Sequence, residues 1–172
     1  MKKYIFSIVM GVIAMNAIAE ESSTTVRQAT SEEQKKLQEI MQVTDLPELD
    51  LERMKKYSNT TVNHFVSNGV ADFNYSEKSV KFMSEIIDTE GQKYPAKNKE
   101  KLTYYWGAYY AEALIKSYGG KWVQTKDEQY IVKLDNGMYV FPFTRIDKHF
   151  HLGHEYAIYA QYSSIMMQKS LN

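Results

Sequence analysis

Three histidines fall within six positions near the C-terminus, His149, His151 and His154, and a carboxylate, Glu155, follows at once. Imidazole and carboxylate groups are zinc-type ligands, so one chemistry open to this stretch is a metal-assisted hydrolase with His151, His154 and Glu155 as the metal-facing set. Helical spacing turns those three side chains one way, but Gly153 interrupts the segment, and an extended chain aligns only His149 with His151. No single local geometry gathers all of them, and the competing reading is a solvated, amphipathic turn. Glu112 is the other candidate, set among Ala111, Ala113 and Leu114. A carboxylate buried there is either a general acid or base with a raised pKa, the base of that same hydrolase, or a group that accepts from backbone, lysine or arginine donors. No second catalytic group lies at a fixed spacing from it, which favours the structural role. His64 sits near the apolar face of a predicted helix and reads as a helix histidine, not a ligand.

Several chemistries are absent from the chain. There is no cysteine, which excludes Cys-His catalysis, thiolate metal sites, disulfides and a lipoprotein anchor. There is no glycine-rich phosphate loop and no Gly-x-Ser-x-Gly elbow to present a serine. His154-Glu155 is followed by Tyr156-Ala157-Ile158, so the His-Glu-x-x-His zinc motif is missing as well. These absences weigh against an enzyme, and no cofactor is expected.

The first residues give an address. Lys2 and Lys3 precede an apolar run from Ile5 to Ile13, and Ala17-Ile18-Ala19 fits a small-x-small cleavage site, which predicts a secretory signal peptide over 1–19 cut after Ala19. The run is short for a membrane span. Its removal takes two lysines from a chain of 21 basic and 21 acidic side chains, leaving a net charge of −2 on 153 residues. No basic surplus remains to hold nucleic acid or anionic lipid, and no membrane anchor survives cleavage. The expectation is a soluble periplasmic protein of one domain.

The elements that would position the candidate residues follow from periodicity. Residues 20–30 read as a flexible leader, and Ser31 with Gln34 as a capping box opening a helix with Leu37, Ile40 and Met41 on one face. Thr44–Asp50, with Pro47, reads as a link, after which Asp50 caps a helix bearing Leu51, Met54, Tyr57, Val62, Phe65 and Val66 and ending at Gly69. Ser76 caps a further helix with Val80, Met83, Ile86 and Ile87 on one side. Asp88–Lys101 reads as a polar surface loop. The longest helix then runs from a cap at Asn98 to Tyr118. Its apolar positions Leu102, Tyr105, Trp106, Tyr109 and Ala113 are joined by a second row of Gly107, Ala108, Ala111, Leu114 and Ile115, so it is predicted to be covered on more than one face. Gly119 and Gly120 stop it. Three strands follow: Trp122–Thr125, Tyr130–Asp135 and Met138–Phe143. Asn136-Gly137 as a two-residue turn pairs Leu134 with Tyr139, Val132 with Phe141 and Tyr130 with Phe143 on one face, puts Val123 beside Val132, and turns Trp122 to the opposite face. Pro142 is expected at a sheet edge or strand end. Thr144 caps a short helix through Phe150, and a helix from about Glu155 to Lys169 closes the chain.

Four segments share an order of pieces with a known group: Phe73-Asn74-Tyr75-Ser76-Glu77-Lys78-Ser79-Val80, Gly107-Ala108-Tyr109-Tyr110-Ala111-Glu112, Gly119-Gly120-Lys121-Trp122, and Phe141-Pro142-Phe143. Together they resemble a small bacterial family, the domain of unknown function numbered three-eight-zero-six, over about 73–162. Ala111 departs from the glycine expected before the glutamate. The resemblance implies a fold, with Ser76, Gly107, Glu112, Gly119, Gly120, Trp122 and Pro142 as its marks, and very little chemistry, because the family has no established activity. Similar small domains also occur among antibacterial immunity proteins.

The reading that results is an α+β domain over 31–172, with helices around a central helix and a three-stranded antiparallel sheet. Its expected work is non-catalytic binding of a protein partner in the envelope, in its sharpest form immunity to an envelope-targeted toxin. The alternatives are the hydrolase at His151, His154 and Glu155 and a housekeeping factor that binds a peptide or glycan through exposed tyrosines.

Overall fold

The computed structural model describes residues 42–170. The signal peptide, its cleavage site after Ala19, the leader and the helix capped by Ser31 lie outside the described residues. The chain is α+β. Strand β1 (Val43–Asp45) leads into helix α1 (Glu48–Ser67), α2 (Glu77–Glu90), a 3-10 turn (Gly91–Lys93) and α3 (Ala96–Tyr118). Strands β2 (Lys121–Thr125), β3 (Tyr130–Lys133) and β4 (Tyr139–Val140) follow, then α4 (Pro142–Leu152), a second 3-10 turn (His154–Tyr156) and α5 (Ile158–Ser170). All strand pairs are antiparallel, in the order β1-β2-β3-β4.

Helix α3 is the centre. Its 23 residues span about 35 Å at ~1.5 Å per residue. Trp106, Ala108, Tyr109, Tyr110, Ala111, Ala113 and Leu114 are all buried, so these turns are covered on nearly every side, with Glu112 the partly open position. Helices α1 and α4 pack along it, and α2, α5 and β3 also touch it. Small residues permit this. A Cβ on Gly107 would lie 2.5 Å from the Phe143 ring and 3.2 Å from its Cα, so α4 crosses α3 at a distance only glycine allows.

Three boundaries differ from the sequence expectation. The Thr44–Asp50 link contains β1, whose Thr44 and Asp45 pair with Gln124 and Val123, so the sheet has four strands and not three. Helix α1 begins at Glu48 behind Pro47, with Asp50 in its first turn as an ion-pair partner of Arg53, not as the cap. The polar stretch 88–101 is no loop. Helix α2 continues to Glu90 and α3 begins at Ala96, with the Pro95 carbonyl accepting from the Asn98 and Lys99 amides, so Asn98 is not a cap. Polarity misled here because only one face of these turns is buried, at Gly91 and Lys99.

Both hairpins are shifted by one residue. Val132 pairs with Val140 instead of Phe141, and with Trp122 instead of Val123. The cause is the same in each: a three-residue loop replaces the expected two- or four-residue turn. The Gly137 amide donates to Leu134 O at 2.9 Å and the Leu134 amide to Met138 O at 2.9 Å, with Gly137 at φ +84°. Residues 125–129 repeat the pattern, Glu128 to Thr125 and Thr125 to Gln129, with Glu128 at φ +60°. A turn followed by one left-handed residue is the next hairpin solution after the two-residue loop. The shift turns Trp122, Val132 and Val140 together onto the core, where all three are buried, and puts Val123 and Ile131 on the other face. It also shortens β4, so Pro142 opens α4 at its first position, not a sheet edge, and Phe143 becomes a helix residue. Thr144 lies inside that helix instead of capping it.

Candidate functional site

The end of α3 fixes the first part of the site. Gly119 and Gly120 have φ of +74° and +117°. A Cβ on Gly120 would lie 2.4 Å from Lys133 O and 2.7 Å from Leu134 Cα, backbone that cannot step aside. The reversal lays β2 back along the helix and brings Trp122 to Glu112, ten positions earlier. The indole Nε1 donates to Glu112 Oε1 at 2.8 Å. The donor to Glu112 is thus an indole, not the backbone, lysine or arginine expected for a structural role. The carboxylate and the indole line an open groove of about 320 Å³ with Leu46, Leu51 and Ile115, and a Lys121–Asp45 ion pair at 2.5 Å closes its rim.

From Trp122 an aromatic row crosses to α4. Trp122 stacks on Phe143 at 5.9 Å and 29°, and Phe143 meets Tyr104 at 6.0 Å. Phe143 fills the space left by Gly107. On its far side lies a second open groove, of about 390 Å³, walled by Glu100 and Tyr104 of α3 and by Phe143, Asp147 and His151 of α4. Gly107, Glu112, Gly120, Trp122 and Phe143 thus belong to one structure, a clamp that holds β2 and α4 to α3 and leaves a groove on each side.

Ser76 belongs elsewhere, at the start of α2. Its Oγ accepts from the Ser79 amide at 3.4 Å, and its own amide donates to Asn74 Oδ1 at 2.8 Å. The turn docks on α3 through Tyr109, which stacks on Phe73 at 4.9 Å and on Tyr75 at 5.4 Å and donates its hydroxyl to Asn74 O. Burial raises the Tyr109 pKa, so this hydroxyl stays a donor.

The histidines separate. Helix α4 carries His149 inward and His151 outward, and Gly153 breaks it at φ +85° before His154. His149 is buried and its Nε2 lies 2.8 Å from Asp88 Oδ1. His154, exposed, places Nδ1 3.0 Å from Asp88 Oδ2. His151 turns to its own helix, with Nδ1 2.9 Å from Asp147 O and 3.2 Å from Asp147 Oδ1. Glu155 is exposed. His151, His154 and Glu155 do not converge, and among the described residues no three histidine, aspartate or glutamate side chains are placed to hold a metal. His64 is exposed, edge-on to Phe65, with its carbonyl accepting from Asn68.

Asp88 is the residue that sequence reasoning missed. It lies 61 and 66 positions from the histidines it joins, inside a stretch read as loop, so no local spacing marks it. Burial would raise its pKa, but hydrogen bonds from His149 and His154 outweigh this and hold it below the usual aspartate value. Burial pushes the His149 pKa down, against the pull of Asp88. A carboxylate acceptor puts the proton of neutral His149 on Nε2 and leaves Nδ1 a lone-pair acceptor. Nδ1 and the nearby Arg145 Nε are buried with no hydrogen-bond partner among the described residues. Phe150 O, at the C-terminal end of α4, accepts from Gln92 Nε2 at 3.1 Å and Lys99 Nζ at 3.3 Å. Together these contacts pin α4 to α2, the first 3-10 turn and α3.

No family model, no curated protein and no solved structure matches this chain.

Proposed function

We propose that this chain is an exported binding domain of the bacterial envelope that engages a protein partner without catalysing a reaction, and that its sharpest form is immunity against a toxin delivered to the envelope. The resemblance to the domain-of-unknown-function family and to immunity domains is part of that proposal. The observation that carries it is how the acid–base side chains are used. Glu112 is committed to the Trp122 indole, His149 and His154 share Asp88, and His151 pairs with Asp147. Two open grooves with aromatic walls flank the clamp, which suits contact with another macromolecule. No helix among the described residues is long and apolar enough to cross a membrane.

Tagged full-length chain expressed from its own leader tests the reading. Recovery from the periplasm with one partner in near-equal amount is expected, and so is a deletion strain that becomes sensitive to sibling or neighbouring cells. A chain retained in the cytoplasm, or recovered alone from a strain with no such sensitivity, would contradict it.

A further inference from the structure

We propose that the groove between α3 and α4 docks a protein segment that presents a lysine or arginine side chain, laid over the Tyr104 ring between the carboxylates of Glu100 and Asp147. The inference rests on the binding reading and names its surface. Tyr104 is 53% exposed, an unusual position for a large aromatic, and it flanks the half-buried Phe143. Glu100 and Asp147 contribute two carboxylates to the walls, with Asp147 Oδ1 3.2 Å from His151 Nδ1, and no lysine or arginine lines the groove among the described residues. Three of the lysines next to its walls in sequence are engaged elsewhere. Lys99 donates to Phe150 O, Lys101 sits over the Tyr105 ring at 5.7 Å, and Lys148 over the Tyr156 ring at 5.3 Å.

A cation over an aromatic face is drawn by the ring quadrupole, and flanking carboxylates add charge-assisted hydrogen bonds. The groove therefore complements a basic side chain set among apolar ones. The groove beside Trp122 differs in both respects. Its carboxylate already accepts from the indole, and Lys121 and Asp45 neutralise each other at its rim. Charge selects the α3–α4 groove.

The test is a titration of the ¹⁵N-labelled chain with the capped peptide acetyl-Leu-Arg-Leu-amide and with its citrulline analogue, which keeps the shape and removes the charge. Saturable amide shifts are expected within 96–104 and 143–152. Affinity is expected to fall at least roughly tenfold for citrulline, the size of one lost charge-assisted contact. It is expected to vanish in the double variant Glu100→Lys, Asp147→Lys, both exposed positions, with the dispersion of the variant's spectrum showing that it is folded. Tyr104→Ala, tested separately, is expected to weaken binding severalfold. Shifts mapping elsewhere, equal binding of the citrulline peptide, absence of saturable shifts, or groove shifts that follow protein concentration alone (a second copy as occupant) would each overturn the proposal. Retention of a periplasmic partner by the double variant would also overturn this docking surface while leaving the binding reading intact. Failure of the wild-type chain to recover any partner would strike the binding reading, and the peptide titration would still decide the groove.

Discussion

Two carboxylates pin elements to one another in this molecule, and they do it with donors of opposite character. Glu112 joins α3 to β2 across ten positions by accepting from the Trp122 indole, a neutral donor that does not titrate. Asp88 joins α2 to α4 and to the turn after it across 61 and 66 positions, and both of its donors are imidazoles. The first clamp is local. The second is long-range and sensitive to acid. The two clamps thus differ in donor and in burial, since the indole does not titrate whereas the buried His149 ring is held neutral by desolvation against the pull of Asp88.

The largest expected effect comes from breaking the turn that makes the first clamp possible. Gly120→Ala sets a Cβ against the Lys133 carbonyl in a left-handed conformation, and a loss of about 3 kcal/mol in denaturant unfolding is expected from overpacking and backbone strain together. Asp88→Ala comes next. It leaves the buried His149 ring without its carboxylate acceptor, at a cost of about 2 kcal/mol by the same measurement, and, because Asp88 pulls the His149 pKa up against burial, it deepens the His149 stage of the acid dependence described below. Glu112→Gln is the smallest, under about 1 kcal/mol, because the amide oxygen still accepts from the indole. A large loss in Glu112→Gln would mean that the carboxylate charge itself is needed, which would reopen the acid–base reading of that residue.

The pH dependence separates the clamps directly. His149 has a folded-state pKa below its unfolded value near 6.5, so the unfolded chain binds the proton more readily. Its contribution is complete above pH 6.5 and is lost as pH falls from there through the folded pKa. Asp88, also depressed, contributes fully above its unfolded value near 3.8 and loses that contribution as pH falls through its lower folded pKa. Stability is therefore expected to decline in two stages on acidification. The first stage is expected to disappear in His149→Phe, measured as urea midpoints between pH 7 and pH 4.5. An unchanged profile in that variant would assign the acid response to other groups.

How far the sequence displayed this arrangement depends on the range of the contact. The central helix was legible because Trp106, Tyr109 and Ala113 repeat at helical spacing while Gly107, Ala108 and Ala111 form a second row, and both rows are buried. Ser76 was legible as a cap because its partner is three residues away. Glu112 was recognised as an unusual carboxylate, but its donor was not, because the four-residue turn expected at Lys126–Gln129 turned Trp122 to the wrong face. Asn-Gly satisfies a two-residue turn and a three-residue loop alike, and Glu128 gives little sign that it adopts φ +60°. Strand β1 escaped notice because three residues beside Pro47 carry too short a pattern. Asp88 was out of reach for a plainer reason. Its value lies in residues more than sixty positions away, and nothing in its own neighbourhood distinguishes it from a solvated aspartate.

If the ionisable groups of this chain brace the fold, as proposed, instead of performing acid–base chemistry, the state of His149 will show it. A ¹⁵N-edited histidine spectrum followed from pH 8 to pH 4.5 reports both tautomer and titration. A neutral ring protonated on Nε2 that persists below pH 6.5 is expected. A His149 that carries its proton on Nδ1, or that titrates at or above pH 6.5, would contradict it.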